Sequence, residues 1–110
     1  MKDQTGKKRG SPVIDDPIAM EKVIVNPKTV PVLFHENKQK LLILLIEKEM
    51  NIIDLKNATN LNPGTIKRHL TDLVEQELVK QTRIETNNYG VKMKFYRATA
   101  KQFIVTMKWP

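Results

Sequence analysis

The chain has 110 residues, 40% of them hydrophobic, which suffices for one modest core but not for two. It contains no cysteine, which excludes disulfides, thiolate zinc sites and thiol catalysis. The formal net charge of +7 favours a polyanionic partner. Most of this excess lies in residues 79–110, where seven basic side chains face the single acid Glu85.

The sequence gives no sign of a membrane partner. Its longest apolar run, Leu41 to Ile46, is far shorter than the roughly 20 residues of a spanning helix, and no apolar segment follows the charges near the N-terminus. We expect a cytoplasmic, nucleoid-associated protein. Residues 1–20 hold few large apolar side chains and are expected to form a flexible tail, which leaves residues 21–110 as the domain.

The first elements are short. Residues 23–25 are expected to form a strand, and residues 29–34 a short helix that Pro31 distorts, with Val30, Leu33 and Phe34 as packing residues. Residues 36–49 follow as a long helix that is so densely apolar that it must lie centrally in the core. His35 is expected to cap this helix or to pack as a ring, rather than to bind a metal.

Two further helices with a short turn predict a helix-turn-helix. Residues 54–59 form the first, with Leu55, Ala58 and Leu61 spaced for packing. Asn60 suits a left-handed turn, since asparagine tolerates positive φ. Asn62 is then a good N-cap, and Pro63 at the first helical position loses only a donor that had no partner.

The second of these helices, residues 63–77, has the features of a DNA-reading helix. Ile66, Leu70, Leu73 and Val74 form an apolar stripe. The outer face is cationic and hydroxylated near its start, with the acids Asp72, Glu75 and Glu77 further along, which suits entry into a major groove. The alternative is an ordinary solvated helix face. The predicted DNA-facing residues are Asn62, Gly64, Thr65, Lys67, Arg68 and Thr71.

After Leu78 the apolar period changes from 3.6 to 2. Residues 79–85 and 91–98 predict two strands, joined by a turn at 86–90 whose residues accept positive φ. A cationic hairpin beside a recognition helix would lie along the DNA backbone and neutralise phosphates. The alternative is a solvated hairpin that lysines keep from aggregating. The predicted phosphate contacts are Arg83, Lys92, Lys94 and Arg97.

The last segment, residues 101–109, alternates apolar and other side chains and favours a strand over a helix. Phe103, Val105, Met107 and Trp109 would share one face. An apolar face of this size is expected to be buried against other side chains. Either it packs on its own core near the strand at Val23, or a second copy of the chain buries it.

Together these elements predict an α+β, mainly α, winged helix-turn-helix with a two-stranded hairpin as its wing. From about Asn26 to Ala98 the chain resembles the arsenic-repressor (ArsR-type) regulators. The resemblance rests on Leu55, Ala58 and Leu61, on the run from Pro63 to Leu70 with its His-Leu pair, on Leu73, Leu78 and Val79, and on Tyr96. It implies a homodimer, although we expect the chain to be too short for the C-terminal dimerising helix that is usual in the family.

The resemblance also bears on metal binding. Metal sensors of the family carry two cysteines in a segment Glu-Leu-Cys-x-Cys-Asp-Leu, and the matching residues 49–55 place Asn51 and Ile53 at those positions. Isoleucine cannot ligate a metal, and the two histidines at positions 35 and 69 do not by themselves make a site. We therefore expect neither metal nor cofactor.

The leading hypothesis is a sequence-specific, dimeric regulator, a repressor, that binds double-stranded DNA through helix 63–77 and the wing at residues 79–98. The alternative is a winged-helix module for protein contacts within a larger assembly, which the apolar C-terminal strand and the acidic end of helix 63–77 favour. The sequence shows no phosphate loop, no pairing of nucleophile and base, and no carboxylate cluster, so it does not indicate an enzyme.

Overall fold

The computed structural model describes residues 18–106, and it confirms the winged helix-turn-helix architecture. Most of the predicted tail, and also Met107 and Trp109, lie outside these residues. No helix within residues 18–106 is long and apolar enough to cross a membrane. The elements in chain order are β1 (Ala19–Ile24), α1 (Val30–Leu33), α2 (Glu36–Glu47), β2 (Met50–Asn51), α3 (Ile52–Thr59), α4 (Pro63–Glu75), β3 (Val79–Thr86), β4 (Lys92–Ala98) and β5 (Ala100–Val105).

Helix α2 supplies the centre of the core. Its residues Leu41, Leu42 and Leu45 are buried, and they belong to one apolar cluster with side chains from α3, α4 and the sheet. His35 caps the helix as expected, because its Nδ1 accepts from the amide of Lys38 at 3.4 Å. The helix ends at Glu47, two residues earlier than predicted, since the backbone of Lys48 is extended.

Helix α3 begins at Ile52 rather than at Asp54. Asn51 is its N-cap: the Oδ1 of Asn51 accepts from the amide of Asp54 at 2.8 Å, and the Oδ2 of Asp54 accepts from the amide of Asn51 at 3.1 Å. This reciprocal capping box satisfies two amides that the helix start leaves without partners. At the other end Asn60 has φ 64°, which confirms the predicted left-handed turn into α4.

Helix α4 ends at Glu75, not at residue 77, because Glu77 adopts a left-handed conformation with φ 60°. The amide of Glu77 donates to the carbonyl of Val74 at 2.9 Å, and that of Leu78 donates to Leu73 at 3.0 Å. These two bonds form a Schellman motif, whose left-handed position normally prefers glycine. The motif stops the helix and directs the chain into the buried start of β3.

Glu77→Gly is expected to raise the free energy of unfolding by about 0.5–1 kcal/mol, because glycine adopts this backbone without the steric cost of a Cβ. The two bonds that end on the carbonyl of Glu77, from Lys22 and Thr99, involve backbone oxygen only and remain. Urea unfolding followed by circular dichroism measures the change. Glu75→Gly, in the last helical residue, is the control and should destabilise; an equal loss in both variants would contradict the assignment.

Strands β3 and β4 form the predicted hairpin, and β2 joins β4 on its other side to give a three-stranded antiparallel sheet with order β2-β4-β3. A register shift between Gln81 and Arg83 interrupts the hairpin pairing. The turn between Thr86 and Lys92 is held by the Oδ1 of Asn87, which accepts from the amides of Tyr89 and Val91. Gly90 has φ 77°, which explains the glycine at that position.

The C-terminal segment is a strand that the chain covers itself. β5 pairs in parallel with β1, with Lys22 opposite Phe103 and Ile24 opposite Val105. Ile24 is buried in the core cluster, and Phe103 and Val105 pack against that cluster. Of the two expectations for this segment, packing near the strand at Val23 is therefore confirmed for the described residues. A parallel pair needs a long crossover connection, which the helices and the three-stranded sheet between β1 and β5 supply.

Three packing predictions were wrong. Phe34 is 67% exposed, because α1 ends at Leu33 and the ring of the C-cap residue lies beyond the helix. Ala58 is exposed, whereas Leu55, on the same helix, is buried as predicted. Val74 is 39% exposed, and its place in the core stripe of α4 is taken by His69.

Candidate nucleic-acid interface

Helix α4 starts as the sequence predicted. The Oδ1 of Asn62 accepts from the amide of Gly64 at 2.8 Å, and Pro63 occupies the first turn. A Cβ on Gly64 would lie 3.1 Å from that same Oδ1, so a larger residue there would press on the cap. The oxygen of Asn62 is thus committed to the helix start.

The two faces of α4 are clearly separated. Buried side chains recur with helical spacing, at Ile66, His69, Leu70 and Leu73. On the opposite side Gly64, Lys67, Arg68 and Thr71 are exposed, with Thr65 half-buried beside them. The hydroxyl of Thr71 donates to the carbonyl of Lys67 at 3.0 Å, which leaves its oxygen able to accept. All six predicted groove-facing residues therefore lie on or beside one cationic surface at the N-terminal part of the helix.

The acidic end of α4 is held by α2. Asp72 forms an ion pair with Lys38, with 2.9 Å between Oδ2 and Nζ. The hydrogen bond from Lys38 lowers the pKa of Asp72 below its ordinary value, outweighing the effect of burial. The carboxylate that lies nearest to the cationic part of the helix is therefore ionised and already paired. It adds much less repulsion toward a polyanion than a lone carboxylate would.

His69 is the polar member of the buried face of α4. It is 8% exposed, and its ring centroid lies 4.9 Å from that of His35. Within the described chain, its Nδ1 is buried without a hydrogen-bond partner. Burial lowers the pKa of His69, and the nearby charges of His35, Lys38 and Arg68 lower it further, while Asp72 acts in the opposite direction. A neutral ring therefore suits this position.

Stability should fall on mild acidification because of His69. Its folded pKa lies below the unfolded value of 6.5, so its contribution is complete above that pH and is lost as the pH falls through the folded pKa. Urea midpoints at about pH 7.5 and about pH 5.5 measure the loss. Glu49 and Asp72 have lowered pKa values that start from 4.5 and 3.8, so they titrate below this window. His69→Gln should flatten the profile; an unchanged slope would refute this assignment.

The wing presents two lysines and an aromatic tip. Lys92 and Lys94 are exposed on β4, and Tyr89 at the turn is 90% exposed. Tyr89 was not predicted to be a functional residue, although its position in the turn Asn87-Asn88-Tyr89-Gly90 indicates an aromatic ring at the tip of the hairpin. Such a ring can lie against sugar or base edges.

Arg83 and Arg97 differ from these lysines, because both make contacts within the chain. The Nε of Arg83 lies 2.7 Å from Oε1 of Glu49, its guanidinium stacks 3.9 Å from the centroid of Phe95, and Glu85 forms a further ion pair with it. Arg97 is half-buried and its Nη2 donates to the carbonyl of Ile46 at 3.4 Å. These contacts tie the wing to the end of α2.

Glu49 is the anchor of this connection. Burial alone would raise the pKa of Glu49, but hydrogen bonds from Thr82 and Arg83 and the charges of Arg83 and Arg97 bring it below its ordinary value. The carboxylate is therefore ionised and joins α2 to the wing across more than thirty residues of sequence. It connects the wing to the segment just after α2, although nothing local in the sequence indicates this contact.

The recognition helix and the wing meet in a groove, which we call the helix-wing groove, lined by Lys67 of α4 and by Lys94 and Tyr96 of β4. Lys92 lines the same space at one end, and Thr71 and the displaced Val74 line it at the other. The structure thus brings together Lys67, Lys92 and Lys94. Arg68 lies on the same exposed side of α4, one residue from Lys67.

Asn51 and Ile53 occupy the positions where ArsR-type metal sensors have cysteines. Asn51 caps α3 through its side chain, and Ile53 is 54% exposed. Among residues 18–106 no group of three or more histidine or acidic side chains lies close enough to hold a metal ion. At residues 51–53 the side chains are an asparagine that caps α3 and two isoleucines, which have no atom that could ligate a metal.

Comparison with known proteins agrees with this geometry. Residues 35–81, which run from the cap of α2 into β3, match the model of the family described as bacterial regulatory protein, arsR family. No match was found among curated protein sequences. Among solved structures, the transcriptional repressor BigR from Xylella fastidiosa is 25% identical with a TM-score of 0.55, over 66% of this chain and 65% of that one.

Two further structures share the fold. HlyU from Vibrio cholerae N16961 is 18% identical, with a TM-score of 0.54 over 64% of this chain and 71% of that one. Mb0332 from Mycobacterium bovis, described as a homodimeric winged helix-turn-helix DNA-binding domain, is 22% identical, with a TM-score of 0.55 over 67% of this chain and 63% of that one. The matched family is one of regulatory proteins, and BigR is described as a transcriptional repressor.

Proposed function

We propose that this chain is an ArsR-type winged helix-turn-helix regulator, and that it acts as a dimeric repressor that reads duplex DNA at the nucleoid through α4 and its wing. The observation that carries this proposal is the cationic surface of the helix-wing groove. Lys67, Lys92 and Lys94 converge there beside the exposed Arg68. Of the two acids of α4, Asp72 is paired with Lys38, and Glu75 lines the groove at the end away from Lys92.

The proposed division of labour follows from chemistry. Arg68 presents a planar fork of donors that matches the two acceptors of guanine in the major groove, so it is assigned to base reading. Lys67, Thr65 and Thr71 lie beside it as donors or acceptors toward base edges and nearby phosphates. Asn62 and Gly64 set the depth of approach, because their contact fixes the start of the helix.

The wing is assigned to the phosphate backbone. Lys92 and Lys94 are exposed and therefore able to reach phosphate oxygens. Arg83 and Arg97 stay in the proposal in a supporting role: both connect the wing to the end of α2, and Arg83 remains partly solvent-accessible. Such contacts position the protein on DNA without reading its sequence.

The electrostatic part is tested by salt dependence. If roughly five phosphates are neutralised per subunit, the logarithm of affinity should fall with the logarithm of salt concentration with a slope of about −5. The double variant Lys92→Gln, Lys94→Gln should reduce the magnitude of this slope by about 2, as measured by fluorescence anisotropy of a labelled duplex. Lys101→Gln, an exposed strand lysine of the other sheet, is the control and should leave the slope unchanged. A flat response of the wild type would contradict the proposal.

Dimerisation is proposed from two observations. Mb0332, which shares the fold, is described as homodimeric. In this chain Val23 of β1 and Ile104 of β5 are neighbours in register and are 53% and 39% exposed, so the outer face of this small sheet keeps an apolar pair at the surface. A repressor role is supported by BigR, which is described as a transcriptional repressor.

A module for protein contacts is favoured less. That alternative rested on an uncovered C-terminal strand and on the acidic end of α4. The inner face of β5 packs on the chain's own core, and Asp72 is paired within the chain. The inner face of β5 and Asp72 therefore have partners within the chain, whereas Glu75, Glu77 and the outer face of β5 remain exposed.

A further inference from the structure

One end of the helix-wing groove widens into a cavity of about 290 Å³ beside the first turn of α3. Its walls are largely aliphatic: Ile52 and Ile53 of α3 face Val91 and Met93 of the wing. Ile53 and Val91 are 54% and 55% exposed, which is unusual for two aliphatic side chains that line the same concavity. A phosphate backbone is hydrophilic, so contact with DNA phosphates does not explain these aliphatic walls.

The polar part of the cavity has one sign of charge. Lys67, Lys92 and Lys94 line it, and none of the described residues that line it carries a carboxylate. Three ammonium groups around an apolar space attract an anion and disfavour a cation or a neutral polar ligand. The volume lies near the lower end of the range of roughly 300–1,000 Å³ that is usual for small-molecule sites, so the ligand is smaller than a nucleotide.

We propose that this cavity binds a small carboxylate with an apolar body, with that body between the aliphatic walls and the carboxylate among the three lysines, and that such a ligand competes with DNA. The regulatory half of this inference rests on the proposed function, because Lys67, Lys92 and Lys94 are the side chains assigned to DNA. A ligand that occupies them lowers DNA affinity, and DNA lowers ligand affinity by the same factor.

The site is tested first without DNA, with 2-naphthoate as the probe and uncharged 2-naphthamide as its control. Methyl spectra of isoleucine- and methionine-labelled full-length protein should show saturable shifts at Ile52, Ile53 and Met93 with the carboxylate. The methyl groups of Ile84 and Ile104, which do not line the cavity, serve as internal references. Absence of saturation, or equal shifts with the amide, would overturn the site.

A variant pair localises the binding. Ile53→Ala should weaken 2-naphthoate by about fivefold, because it removes apolar contact from one wall. Ile84→Ala, the same deletion at a side chain of similar exposure on β3, should leave the affinity unchanged. Both positions are outside the set assigned to DNA. Equal effects of the two variants would show that the ring does not lie in this cavity.

Competition is tested separately. With 2-naphthoate at about ten times its dissociation constant, the apparent dissociation constant for a duplex should rise about elevenfold at constant ionic strength, whereas the amide should have no effect. Saturable binding of 2-naphthoate with unchanged DNA affinity would overturn the proposed competition but not the proposed ligand site. Saturable binding by a protein that binds no DNA would overturn the proposed function instead, so the two failures are distinguishable.

Discussion

Leu45→Ala is expected to lower the free energy of unfolding by about 2–5 kcal/mol. Leu45 is fully buried at the centre of α2, where it belongs to the cluster that includes the inner face of α4. Truncation removes its apolar contacts and leaves a cavity that neighbours fill only in part. Because a domain of this size is stable by roughly 5–15 kcal/mol, this single change removes a large fraction of the total.

Urea unfolding of three variants measures this effect. Leu45→Met keeps most of the volume and should cost less than about 1.5 kcal/mol. Ile43→Ala lies two residues away on the same helix, but Ile43 is 54% exposed, and its loss should stay within about 0.5 kcal/mol. If Leu45→Ala and Ile43→Ala were equally destabilising, the placement of α2 at the centre of the core would be wrong.

Arg68→Ala is expected to weaken binding to the preferred DNA site by about 1–3 kcal/mol and to relax base choice at one position. Each 1.4 kcal/mol corresponds to about tenfold in affinity, so the loss spans roughly five- to 150-fold. Arg68 is exposed on the outer face of α4, away from the buried stripe, and alanine is a good helix former, so the fold should be retained.

Two comparison variants separate charge from geometry. Arg68→Lys keeps the charge but loses the planar fork, so it should retain much of the non-specific affinity and lose base preference. Lys94→Ala should weaken all sequences alike, as expected of a phosphate contact. Unchanged affinity and base preference in Arg68→Ala would mean that another face of α4, or another element, reads the DNA.

Features that depend on neighbouring residues were predictable from the sequence. The cap at Asn62 with Pro63, the left-handed Asn60 and the hairpin turn near Gly90 all rest on contacts within a few residues. The start of α3 was missed, although the signal was present: Asn51 and Asp54 have the spacing of a capping box. The left-handed Glu77 had no such signal, because glutamate rarely occupies that conformation.

Features that depend on distant elements were not predictable. Either His69 or Val74 extends the stripe of Ile66, Leu70 and Leu73 on a helical wheel, and the position of α2 decides between them. From the sequence Arg83 was predicted to be available for phosphate, yet its guanidinium donates to Glu49, which lies thirty-four residues earlier. The parallel pairing of β1 with β5 joins opposite ends of the described chain. Each case needs the tertiary structure.

We propose that the chain reads a DNA sequence as a dimer, and selection from a labelled random duplex pool at two salt concentrations is the first test of this proposal. Retained duplexes are sequenced after each round. We expect enrichment of a short inverted repeat, with weaker retention at the higher salt concentration. Absence of binding at either salt concentration, or salt-sensitive binding without any enriched sequence, would contradict it.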